Sequence, residues 1–63
     1  MRKRGLLFLE QKVGGDWFFA GQEEDSEWGE NLLTERARSL WRRGASGVRI
    51  YRVRSEIVLE HER

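Results

Sequence analysis

The chain contains no cysteine and no proline, only one histidine, and no apolar run long enough to cross a membrane as a helix. Without cysteine there is neither a disulfide framework nor a thiolate metal site, and nothing in the residue usage points to an oxidising compartment. With proline absent, the turns fall to glycine, which is common. The single histidine, His61, lies close to the C-terminal end, so the serines have no histidine that a rigid element would hold beside them. Glu60, His61 and Glu62 are adjacent in sequence, which scatters them around a strand instead of converging them on a metal ion. The acidic stretch lacks the alternating oxygen ligands and central glycine of a calcium loop. No enzyme, metal or cofactor is therefore expected. The basic opening Met-Arg-Lys-Arg is followed by only four apolar residues, short of a signal-peptide core and of a spanning helix, and reads as a strand with a basic lead.

At 63 residues the chain is expected to form a single domain over 1–63, near the lower size at which one hydrophobic core holds a fold. Marginal stability, or support from a partner, goes with that size. The net charge is only +1, but it is segregated. Residues 21–35 hold Glu23, Glu24, Asp25, Glu27, Glu30 and Glu35 with no basic group, whereas residues 36–54 hold seven arginines with no acid. Helix-dipole complementarity and a solvated surface account for part of this division. A protein with two oppositely charged poles, one of which meets a partner, is the other reading.

Leu6 to Val13 has strand composition, Trp17 to Ala20 is aromatic enough for a second strand, and Gly14-Gly15-Asp16 between them is a hairpin signal. A two-residue Gly14-Gly15 turn sets Lys12 opposite Trp17. A three-residue loop sets Val13 opposite Trp17 and gathers Leu7, Leu9, Val13, Trp17 and Phe19 on one face, which favours it. Asp25 or Ser26 is a plausible N-cap for a helix running to about Arg43, stopped by Gly44, with Leu33, Ala37, Leu40 and Trp41 as its buried stripe. Gly29 weakens the first turn, so a start near Glu30, with 21–29 as an acidic loop, is the alternative.

From Gly47 the alternation of apolar residues changes phase. A β-bulge at Ile50-Tyr51 in one long strand directs Val48, Tyr51, Val53, Ile57 and Leu59 to one side, and Arg49, Arg52, Arg54 and Glu56 to the other. The expected fold class is thus α+β: a small two-layer β-β-α-β domain with a three-stranded antiparallel sheet, order 2-1-3, and one helix on one face. Its other face would expose Leu6, Phe8 and Phe18 beside Arg49, Arg52 and Arg54.

Exposed aromatics mixed with arginine have the composition of interface hot spots, so a protein partner is the leading expectation. The same face could stack bases and hold phosphates, although the near-neutral net charge and the acidic block oppose nucleic acid. A homodimer that buries Phe8 and Phe18 is a third reading. The element order and the run Gly47-Val48-Arg49-Ile50-Tyr51-Arg52-Val53-Arg54 resemble the small phage-encoded inhibitors of bacterial RNA polymerase. That resemblance covers about the last third of the chain. It implies polymerase contacts at Arg52 and Arg54 and an obstruction of the nucleic-acid path by Glu23, Glu24, Asp25 and Glu27, although the family carries its acidic strip elsewhere. It also implies a transcription inhibitor acting in the cytoplasm, the host's if the chain is phage-encoded.

Overall fold

The computed structural model describes residues 5–52 and 56–63. Val53 and Arg54, two of the residues singled out above, lie outside them. The elements are β1 (Leu6–Val13), β2 (Asp16–Glu24), α1 (Glu27–Arg42), β3 (Gly47–Arg52) and β4 (Glu56–Glu62). The domain is α+β with an antiparallel sheet and one helix, as expected, but the sheet has four strands in the order β2-β1-β3-β4.

The first hairpin closes on two residues. Gly14 (φ 61°) and Gly15 (φ 90°) both adopt positive φ, the requirement of a primed turn whose twist matches the flanking strands. Val13 therefore faces Asp16 and Lys12 faces Trp17, not the three-residue register that collects the apolar residues. The parity is repaired further along. The pairing steps from Glu10–Phe19 to Leu9–Gly21, leaving Ala20 as an extra residue in β2. Trp17 and Phe19 consequently share a side with Lys12 and Glu10, away from the helix, while Ala20 packs against the core.

The expected kink near Ile50 and Tyr51 is present as a register shift, but the extra residue belongs to the partner strand. Ile50 pairs with Leu59 and Tyr51 with Ile57, so Val58 of β4 is the bulged residue and β3 alternates without interruption. Val48 and Ile50 are both buried, and Arg49 and Tyr51 point the other way. The expected grouping of Val48 with Tyr51, and of Arg49 with Arg52, is thus corrected. What looks like one strand that changes phase is two strands, with Arg52 opposite Glu56.

Ser26 caps α1: its Oγ accepts the Gly29 amide at 3.0 Å. Glu27 and Glu30 lie in the first turn and Arg42 in the last, the distribution favoured by the helix dipole. The helix begins at Glu27, and β2 continues to Glu24, so 21–29 is not a loop. Gly29 permits this close junction, because a Cβ there would overlap the Glu24 carbonyl oxygen. Gly29, Leu33 and Ala37, spaced one helical turn apart, form the face of α1 that lies against the sheet.

The core consists of Leu7, Leu9, Leu33, Ala37, Ala45, Val48 and Ile50. It is small, so single losses weigh heavily against a stability of a few kcal/mol. The helix packs over β2, β1 and β3, and its backbone does not approach β4. Gly29→Ala is expected to cost about 2 kcal/mol through overpacking at the β2–α1 junction, lowering the melting temperature by about 10 °C. Asn31→Ala, on the exposed side of the same helix, should leave the melting temperature nearly unchanged. Thermal denaturation followed by circular dichroism compares the two.

Candidate functional site

The sheet face opposite α1 is covered by nothing among the described residues. Strand alternation places Phe8, Glu10 and Lys12 of β1 there, with Trp17 and Phe19 of β2, Arg49 and Tyr51 of β3, and Ile57, Glu60 and Glu62 of β4. Phe19 is 64% exposed and Ile57 50%. The centre of the face is more ordered than its rim. Arg49 donates from Nε (2.7 Å) and Nη2 (2.6 Å) to Glu10 Oε1, and the Tyr51 hydroxyl donates to Glu10 Oε2 at 3.2 Å. The Arg49 guanidinium lies 4.1 Å from the centre of the Trp17 ring, a cation–π stack. Phe8 packs against Tyr51 with centroids 5.7 Å apart.

These contacts fix the electrostatics. The Arg49 charge is taken up by Glu10, and Lys12 Nζ pairs with Glu62 Oε2 at 3.4 Å. With Glu60 added, the face carries no excess of positive charge. Burial, followed by the adjacent Glu10 carboxylate and its hydrogen bond, raises the Tyr51 phenol above its ordinary value of 10.0, against a smaller opposing pull from Arg49. A raised folded-state value contributes stability that is complete below about pH 10 and is lost as the pH climbs through the folded value.

The other singled-out residues are not brought onto this face. Arg52 lies on the helix side, where Nε donates to Asp25 Oδ2 at 3.0 Å and Nη1 to Glu56 Oε1 at 3.1 Å, with Glu30 Oε2 at 4.0 Å from Nη2. It ties the β2–α1 junction, the first helical turn and the start of β4 together. Asp25, nearest of the three carboxylates in effect, holds the Arg52 guanidinium protonated even more firmly than usual. Asp25 is therefore a structural anchor, and its amide also donates to the Gly5 carbonyl at 3.0 Å. Glu23 faces the helix side opposite Leu7, Glu24 ends β2, and Glu27 opens α1 on an exposed turn.

Phe18 pairs with Gln11 on the helix side, half-exposed and on the opposite face from Phe8. Of the expected set, Phe8 and Arg49 belong to the open face. Glu10, Lys12, Trp17, Phe19, Tyr51 and Ile57 join them there. The signal that locates the β2 aromatics is the glycine pair, which admits a two-residue primed turn.

Among the described residues, no group of three or more His, Cys, Asp or Glu side chains gathers to hold a metal ion, and no helix is long and apolar enough to cross a membrane. Comparison with known proteins finds no matching family, no matching curated protein and no matching solved structure.

Glu10→Gln should lower the Tyr51 titration midpoint, read from phenolate absorbance, and flatten the loss of stability above pH 10. It should also cost about 1–2 kcal/mol at neutral pH, because Arg49 loses its charged acceptor. A Tyr51 midpoint unmoved by the substitution would contradict the coupling.

Proposed function

We propose that this protein is a non-enzymatic binding module that docks on another protein through the open sheet face. The observation that carries the proposal is an uncovered face in which Phe8, Trp17, Phe19, Tyr51 and Ile57 surround an arginine already neutralised by Glu10. Aromatic residues and arginine dominate interface hot spots, and a contiguous apolar patch on a small domain gains by being covered. Stacking on Trp17 and pairing with Glu10 hold Arg49 in one geometry before any partner arrives, which reduces the ordering cost of association.

The internal pairing of Arg49 and Lys12 with carboxylates argues against a phosphate backbone as the ligand, since counterion release needs cations that are available. The narrower form of the proposal takes its partner from the phage-inhibitor resemblance: bacterial RNA polymerase, blocked by a bound module with an acidic end near Glu27. In this form the open face makes the principal contact, because Arg52 is engaged by Asp25 and Glu56.

Phe19 and Ile57 are each at least half-exposed, so Phe19→Ser/Ile57→Ser removes apolar surface without touching the core. Tagged wild-type protein is expected to retain a protein partner from nuclease-treated bacterial lysate, with purified RNA polymerase as the direct test of the narrower form. The double variant should bind it at least tenfold more weakly, in the range of a hot-spot loss. Retention that disappears with nuclease would transfer the face to nucleic acid. A concentration-dependent mass in sedimentation equilibrium, abolished by the same variant, would make it a homodimer seam.

A further inference from the structure

We propose a second docking site, independent of the open face: the free edge of β4 and the groove beside it take up an extended peptide whose groove-side residues are apolar and acidic. The strand order leaves β4 at the edge of the sheet, so its outer amides and carbonyls have no strand partner among the described residues. On the helix side α1 stops short of β4. The gap is a groove of about 420 Å³, floored by Val48 and Leu59 and walled by Trp41 and His61, with Arg38 and Arg42 along its helical rim.

The groove is built rather than incidental. The Trp41 ring packs against the Arg63 guanidinium, 4.0 Å from its centre, and against the His61 ring, whose centroid is 6.1 Å away. Arg63 is fixed in turn by donating from Nη2 to the Trp41 carbonyl at 2.6 Å and from Nε to the Ala45 carbonyl at 2.9 Å. The bulge at Val58 limits the regular edge to Leu59–Glu62, four residues or about 13 Å of strand. The rim from Thr34 to Arg42 rises about 12 Å along the helix, the same length.

Charge selects the occupant. Arg42 makes no ion pair among the described residues, and Arg38 pairs there only with Glu35, in an exposed contact at 3.3 Å. An acidic side chain entering the groove therefore meets two available guanidinium groups, which bind carboxylates well. On the other face of β4, Glu62 is paired with Lys12, and Glu60 favours a basic residue at the alternate positions of the incoming strand. A second copy of β4 is disfavoured, because pairing along Leu59–Glu62 would bring Glu60 and Glu62 of the two strands together with like charges. Strand addition with pockets for alternate side chains is an established mode of peptide recognition, with backbone bonds giving affinity and the groove giving selectivity.

The probe is a fluorescein-labelled octapeptide with lysine at one set of alternate positions and valine, glutamate, leucine and valine at the other. The full chain is expected to bind it with a dissociation constant below about 100 μM, near −5.5 kcal/mol. Amide shifts in a heteronuclear titration should concentrate at Leu59–Glu62 and on the Trp41 indole. Arg38→Gln/Arg42→Gln, checked by thermal melting, should weaken binding at least tenfold, as should replacement of the peptide glutamate by lysine. Methylating one alternate set of peptide amides should abolish binding while the other set is tolerated. Phe19→Ser should bind the octapeptide as the wild type does, which separates this site from the open face. No binding at 1 mM peptide, indifference to amide methylation, or shifts centred on Trp17 and Phe19 would each overturn the proposal.

Discussion

The two-residue turn at Gly14 and Gly15 sets the register of β1 against β2, and from that register follows which aromatic side chains meet the helix and which meet water. A strand has a period of two, so one residue more in the turn would exchange the faces of Trp17, Phe18 and Phe19 together. With the short turn, Trp17 lies across Lys12 from Gly47 and so diagonally from Arg49, and their stack organises the middle of the open face. The helix side, which keeps only Phe18 of these three rings, is filled by Leu7, Leu9, Val48 and Ile50 beneath a narrow helical stripe of Gly29, Leu33 and Ala37.

Local chemistry made the helix legible: a serine cap, early glutamates, late arginines and a glycine stop agree with one another. The first hairpin and the order of its elements were legible for the same reason. The fourth strand was hidden because the sequence from Gly47 to Glu62 contains neither proline nor a second glycine, the strongest punctuators of a run, so nothing divides it before Glu56. Two bulges then defeat any reading based on strict alternation. Ala20 and Val58 each shift parity within a strand; Gly21 beside the first is a local marker of a bulge, whereas Val58 has none. Strand alternation is enough to put Phe8 and Arg49 on the face away from the helix, whereas the sides of Trp17 and Tyr51 depend on the turn length and on the strand that carries the bulge, which are long-range properties of the sheet.

Arg52 shows how a residue with the chemistry of a contact can be absorbed by the fold. Its guanidinium reaches Asp25 and Glu56 and lies near Glu30, bridging segments that are far apart in sequence. The segregation of acids and arginines along the chain is in part the trace of this bridge, because antiparallel folding brings the end of β3 back to the start of α1. Arg36 and Arg42, on the exposed second half of the helix, and Arg43 at its C-cap are not consumed in this way among the described residues.

Both edge strands carry an extra residue, Ala20 in β2 and Val58 in β4, while β1 and β3 between them run regularly against each other. Bulged edges bend and twist more strongly than flat ones. A chain with half-exposed phenylalanines would otherwise be a template for stacking identical molecules edge to edge into fibres. With only four regular residues beyond Val58, a short strand finds room to pair there but a long one cannot continue in register. The irregularities that obscured the fold in the sequence thus work against edge-to-edge growth of the sheet.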